Sequence, residues 1–166
     1  MRHPQIINVD EVEAKETDHV GAYGARRRQL GAAVGGRQLG CSWMELEPGM
    51  SAWPLHYHAA NEECLFILSG EGTLQLGERR CPVRAGDYVA LPVGPGHAHK
   101  LTNTGEQELR YLCLSTMHPV DLTIYPDSDK VGVFGGAAPG GDREERFVSG
   151  YFRAEGAVPY WDGESS

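Results

Sequence analysis

One stretch constrains this chain more than any other: Gly49-MSAWPL-His56-Tyr57-His58-AANE-Glu63-CLFILS-Gly70. Side chains alternate along a strand with period two, so His56 and His58 share a face if they lie on a strand. The polar residues after them make a short turn, from which a partner strand can bring a carboxylate back beside the imidazoles. Two glutamates compete for that place. Glu63 has the right parity, and Glu62 would point to the opposite face of the strand. Imidazole together with carboxylate suits a divalent first-row transition metal. The spacing therefore predicts a metal site built into β structure.

The rest of the chain agrees with an all-β reading. Leu39, Cys41 and Trp43 alternate before a turn at Glu47-Pro48-Gly49. Strands are expected over 56–59, 63–68, 87–91, 98–102 and 109–116, with a hairpin of 73–76 and 81–83 around Gly77-Glu78. Gly 22 and Pro 10 are many for 166 residues, and without a tripeptide period they indicate frequent turns between short strands. Such spacing suggests an antiparallel sandwich or barrel. One more short strand is expected near Ile6 to Val9, and no helix before residue 117. The length fits one domain, with a polar arm over 1–35, a barrel over 36–116, and a C-terminal extension over 117–166. That extension comprises a strand, the glycine-rich loop GGAAPGGD and an aromatic tail (Phe152, Tyr160, Trp161) expected to dock onto the barrel or a second subunit. The loop lacks the Lys-Ser/Thr of a phosphate loop and reads as a flexible connection.

Charge and cysteine usage narrow the function classes. A net charge of -8 argues against nucleic acid as a partner. The one basic run, Arg26-Arg27-Arg28, reads as solvated strand or loop surface. Cys41, Cys64, Cys81 and Cys113 form no CxxC pair, and the N-terminus has neither an apolar h-region nor a secretory leader. Free thiols in a cytoplasmic protein with no membrane span are expected.

The Gly49–Gly70 stretch resembles the first motif of the cupin superfamily, in which a glycine precedes HxH, four residues separate the second histidine from a glutamate, and a glycine follows. The leading spacer here is six residues where the usual pattern has five. The resemblance implies a double-stranded β-helix (the cupin jelly-roll barrel) and implies that His56, His58 and Glu63 are metal ligands. The second cupin motif runs Gly, five residues, Pro-x-Gly, two residues, His, three residues, Asn. Gly86-DYVAL-Pro92-Val93-Gly94-Pro95-Gly96-His97 fits its first part, whereas His99-Lys100-Leu101-Thr102-Asn103 fits its last. The two extra residues are absorbed more easily by the turn Val93-Gly94-Pro95-Gly96 than by the register of a paired strand. His99 is therefore the fourth expected ligand. His97, roughly 7 Å along the same face, is expected as an acid/base residue at the mouth of the site or as a plain turn histidine.

Three imidazoles and one carboxylate leave open positions on an octahedral ion, the mark of a catalytic rather than a structural site. Fe, Mn, Ni, Zn and Co all accept these ligands. Chains similar to this one are described loosely as single-domain bacterial cupins of sugar-phosphate isomerase type. The resemblance thus implies an isomerase, oxygenase or lyase acting on a small polar metabolite, or else a non-catalytic binding or sensing cup. A phosphate-bearing substrate would need Arg or Lys inside the barrel. Arg84 and Arg110 lie in expected strands, with their faces undetermined by the sequence. Cupin barrels commonly pair by their sheet edges, so a homodimer is expected.

Overall fold

The described residues form thirteen short strands, all paired antiparallel, in three sheets, the two smaller of which join into one face opposite the largest. The computed structural model describes residues 2–17 and 19–164. In chain order the strands are β1 (Lys15–Glu16), β2 (Arg26–Gln29), β3 (Leu39–Leu46), β4 (Tyr57–His58), β5 (Glu63–Ser69), β6 (Glu71–Leu76) and β7 (Arg79–Arg84). They continue as β8 (Tyr88–Leu91), β9 (His99–Thr102), β10 (Leu109–Thr116), β11 (Val120–Tyr125), β12 (Lys130–Gly135) and β13 (Val148–Arg153). One sheet has the order β1-β2-β3-β10-β5-β8. The opposite face is built from β13-β12-β11-β4 and β7-β6-β9. These two parts meet where His56 and His99 exchange backbone hydrogen bonds of 3.1 and 2.8 Å. Two of the histidines singled out in the sequence thus sit at the seam of this second face.

The inward rows of the strands change character along their length, and that change positions the site. On β10, Leu109 and Tyr111 are buried in the core, while Cys113 and Ser115, next on the same face, line a cavity. On the antiparallel neighbour β3, Leu46 and Met44 are core and Ser42 lines the cavity. On β5 the row runs from Glu63 to Leu65 and Ile67, both buried. From the facing sheet Leu74 and Leu101 complete the apolar cluster. One end of the barrel is therefore a packed core and the other is open and polar. Burial of the apolar end, at about 25 cal/mol per Å², drives the fold; the polar end is left for function.

Gly70, which closes the histidine-bearing stretch, has φ 82° and connects β5 to β6. A Cβ there would lie 2.8 Å from the Glu108 carbonyl oxygen and 2.9 Å from the Leu109 Cα. Both left-handed backbone and contact with fixed main chain exclude other residues. Gly70→Ala is expected to lower stability by about 2 kcal/mol or more, read from the midpoint of urea unfolding; an unchanged midpoint would refute this.

The sheets run past both expected barrel limits. β2 pairs with β3, and β11 pairs with β4, so segments on either side of 36–116 form barrel strands. The strand expected near Ile6 to Val9 is instead a 3-10 turn over Val9–Glu11. Asn8 accepts from the Asp10 N–H and Glu11 accepts from the Asn8 N–H, a reciprocal cap that competes with extended backbone. One turn of α-helix, α1 (Leu30–Ala33), stands before residue 117, where no helix was expected. Of the aromatic tail, Phe152 lies in β13, paired with Val131 of β12, whereas Tyr160 and Trp161 leave the barrel, 83% and 74% exposed, and pack edge-on against each other. No helix among the described residues is long and apolar enough to cross a membrane.

Candidate metal centre

His56, His58 and Glu63 each present a potential ligand atom within 4.8 Å of the other two. His99 joins them, its Nε2 lying 3.3 Å from the same Glu63 oxygen that stands 3.5 Å from His58 Nε2. The His56 ring is 5.2 Å from that of His58 and 4.5 Å from that of His99. Strand parity explains the grouping. His56 and His58 are two apart on one face, and β9 runs beside His56 so that His99 falls directly opposite it. Glu63, the first residue of β5, enters from the other sheet, whereas Glu62 is exposed.

The orientation of the three rings follows from what holds their Nδ1 atoms. His56 Nδ1 is 2.8 Å from the Pro54 carbonyl, His99 Nδ1 is 3.0 Å from the His97 carbonyl, and His58 Nδ1 is 2.6 Å from Asp121 Oδ2. Carbonyls and carboxylates only accept, so each Nδ1 carries a proton and donates it. In the neutral ring Nε2 is then left with its lone pair. Hydrogen-bond partners of this kind fix tautomer and direction in metal-ligating histidines.

Electrostatics reinforce the arrangement. Burial, helped by the neighbouring His99, holds His56 down to about 4, so that ring is neutral at ordinary pH. Burial alone would raise Glu63, but the imidazoles that face it, His99 first and then His58 and His56, outweigh burial and bring the carboxyl to about 2. His58 is pulled down by burial, yet the Asp121 hydrogen bond and the Glu63 charge raise it overall. A half-buried carboxylate facing three buried imidazoles is the donor set that a divalent transition metal takes. The residues present therefore fit such an ion.

His97 lies in a 3-10 turn, Pro95–His97, not on the strand, so strand alternation does not apply to it. Its side chain is exposed and absent from the cavity lining; its backbone carbonyl is the group that reaches the site, through His99. Asp121 was not singled out by sequence pattern. It is fully buried, 63 residues from His58, on a strand expected to lie outside the barrel. Tyr125 was also missed; its ring stacks on His56 at 5.8 Å and lies 5.9 Å from that of Tyr151. Burial pushes the Tyr125 hydroxyl up, so it stays protonated.

The cluster opens on a cavity of about 820 Å³. Its wall includes Arg27, Ser42, Tyr125, Tyr151 and the glycine-rich segment 136–141. Two sequence expectations are corrected here. The Arg26–Arg28 run is not uniformly solvated surface. Arg26 and Arg28 turn outward onto Glu45 at 3.4 and 2.8 Å, and Arg27 turns inward, paired in register with the buried Met44. The segment GGAAPGGD is no loose connection either. Ala137 and Ala138 are buried, Arg146 donates to the carbonyls of Ala138 and Pro139, and Gln29 Nε2 donates to Gly140 O at 2.7 Å. Arg84 and Arg110 are both exposed, away from the cavity.

Residues 42–115 match the cupin domain family. The chain is 30% identical over 94 residues to auxin-binding protein 1 of Arabidopsis thaliana, an alignment covering 51% of this chain and 46% of that protein. It spans about half the length of the curated relatives it matches. It is also similar to the structure of a proposed sugar phosphate isomerase from Acidithiobacillus ferrooxidans, with 28% identity and a TM-score of 0.74 over 80% of this chain and 87% of that one. A sugar phosphate isomerase of the cupin superfamily from Silicibacter pomeroyi gives a TM-score of 0.76 over 95% and 98% of the two chains, at 22% identity; that likeness speaks for the fold alone. Wound as a double-stranded β-helix, the chain carries over residues 42–115 a domain that matches the cupin family.

Proposed function

We propose that His56, His58, Glu63 and His99 hold one divalent transition metal, and that the chain is an enzyme acting through it on a small polar metabolite. The observation that carries this is the fixed tautomer of all three histidines, whose Nδ1 protons are each taken by a built-in acceptor. A surface or core-edge histidine pair has no need of such partners. A metal bound there would polarise a carbonyl or an adjacent carbonyl–hydroxyl pair of the substrate, or lower the pKa of bound water. The protein's own groups do the rest. Tyr125, protonated and facing the cavity, can donate to a substrate oxygen, while the apolar rows of β5 and β10 close the inner end against water. The 28% identity to a proposed sugar phosphate isomerase favours isomerase-like over oxygenase-like chemistry.

The second reading is a non-catalytic cup that binds or senses a small molecule, favoured by the 30% identity to an auxin-binding protein. Four converging ligands and an open cavity weigh toward catalysis. The homodimer expected from the sequence belongs to either reading, with the unpaired edge of β13 and the exposed Val120 and Leu122 as the surface available to it.

Metal analysis of protein purified without a nickel column tests the first reading. Wild type and Glu62→Gln are expected to retain metal, and His56→Ala and Glu63→Gln to lose it. Unchanged metal in His56→Ala would refute the site. With a panel of sugar phosphates and hydroxy acids, turnover without O₂ consumption supports the isomerase branch; saturable binding without any turnover supports the cup.

A further inference from the structure

Four arginines line the cavity, and they differ in burial and in what they touch. Arg146 spends its guanidinium on the carbonyls of Ala138 and Pro139 and stacks over Phe134 at 5.0 Å, so it braces the glycine-rich segment. Arg37 and Arg143 are exposed and share the rim with Asp142 and Glu145, also exposed, so the mouth carries both signs of charge. Arg27 differs. It is partly buried, and its Nε donates to Ser42 Oγ at 2.9 Å. Among the described residues no carboxylate forms an ion pair with it, although its neighbours Arg26 and Arg28 both find Glu45.

An inward guanidinium without a carboxylate partner is costly to keep in an acidic protein unless something uses it. Because Ser42 takes Nε, the guanidinium is held in one orientation with its two terminal amino groups left as a fork. That geometry matches two oxygens of a carboxylate or a phosphoryl group. The backbone around it is cut to fit. Gly140 passes so close that a Cβ there would lie 3.0 Å from an Arg27 terminal nitrogen, and Gln29, two residues along β2, pins the Gly140 carbonyl. The glycines of this segment thus let main chain approach the guanidinium without a side chain covering it.

We propose that Arg27 is the anion-recognition residue of the cavity, gripping the carboxylate or phosphoryl end of a small ligand whose other, oxygen-bearing end reaches the His56–His58–Glu63–His99 cluster. This rests on reading the cluster as the site where substrate is processed, and it gives that site a substrate class. A ligand held at both ends is oriented before any chemistry begins. The arm and the C-terminal extension, which carry Arg27 and Gly140, become specificity elements rather than ornaments on the barrel.

The test titrates inorganic phosphate and malonate separately, at constant ionic strength, into wild type, Arg27→Gln, Arg27→Met and Glu63→Gln, by calorimetry, with metal content and melting temperature recorded for each. Saturable binding of at least one anion to wild type is expected, weakened about tenfold or more in Arg27→Gln at unchanged metal content. Phosphate preferred over malonate assigns a phosphoryl group, and the reverse a carboxylate. Arg27→Met, which keeps the apolar stem, carries the comparison if the glutamine variant melts early. Wild-type affinity in both Arg27 variants, or no saturable binding to wild type, overturns the proposal. Binding lost in Glu63→Gln but kept in the Arg27 variants also overturns it, because the anion then sits on the metal and the metal reading stands. Conversely, a wild type without metal that still binds anion through Arg27 supports the proposal while the metal reading fails.

Discussion

Asp121→Asn is expected to weaken the metal binding proposed for this site by about 10–100-fold, although Asp121 stands on the Nδ1 side of the His58 ring, away from Glu63. The carboxylate accepts twice: Oδ2 from His58 Nδ1 at 2.6 Å and Oδ1 from the Ala60 N–H at 2.9 Å. An amide of the same shape has only one accepting oxygen. If that oxygen serves Ala60, the amide NH₂ faces His58 Nδ1, and the ring must shift its proton to Nε2 to avoid donor against donor. Nε2 then has no lone pair for a metal. If the oxygen serves His58 instead, the buried Ala60 N–H confronts a donor, at a cost of about 1–3 kcal/mol. Either outcome harms the site, and the first harms it directly. Competition against a chromophoric chelator measures the affinity. Thr123→Val is the control, since Thr123 Oγ1 meets the same Nδ1 only at 3.3 Å and is the weaker partner. Equal metal affinity in Asp121→Asn and wild type would show that the His58 tautomer is not set by this carboxylate.

The same pair shows why the sequence disclosed the cluster and hid its supports. His56, His58 and Glu63 are readable because strand parity and a short turn are local, and the grouping depends on few unknowns. His99 needed one further inference, that an insertion goes into a turn rather than a paired strand. The structure agrees on the place of the irregularity: Pro95–His97 forms a 3-10 turn and His99 opens β9 in register with β6. Asp121 and Arg27 could not be found this way. Each acts across the barrel from an element outside the recognisable motifs, and which face it shows depends on a strand pairing that a lone sequence does not state. Period two could have flagged Arg27: alternation in Arg26-Arg27-Arg28 requires one of the three to face oppositely to its neighbours. Reading the run as a block of charge concealed that. The glycine-rich segment was misjudged for a similar reason, because composition describes flexibility in the unfolded chain and says nothing of Arg146 and Gln29 fastening the loop.

Asn103→Asp will cost about 4 kcal/mol or more at neutral pH, though it exchanges a single NH₂ for oxygen. In the sequence Asn103 served only to mark the register of His99. In the fold it is fully buried and ties three segments together: Nδ2 donates to the carbonyls of Leu46 and Gln107, each at 2.8 Å, and Oδ1 accepts from the Gly105 N–H at 3.0 Å. The substituted carboxylate would face two carbonyls with no proton to offer, so two buried acceptors are orphaned and a charge is confined beside them. Burial of that charge raises the carboxyl pKa in the folded state above its unfolded value of about 4. A raised folded pKa means that the native state holds the proton more tightly, so part of the deficit disappears as pH falls through the folded pKa and returns as pH rises. Asn103→Ala separates the two causes. It removes the donors without adding a charge, so its deficit relative to wild type stays constant between pH 7 and pH ~4.5, while that of Asn103→Asp narrows. Urea unfolding of the three proteins at both pH values gives the comparison. Parallel deficits for the two variants would mean that the lost donors account for the whole effect and that the charge finds solvent.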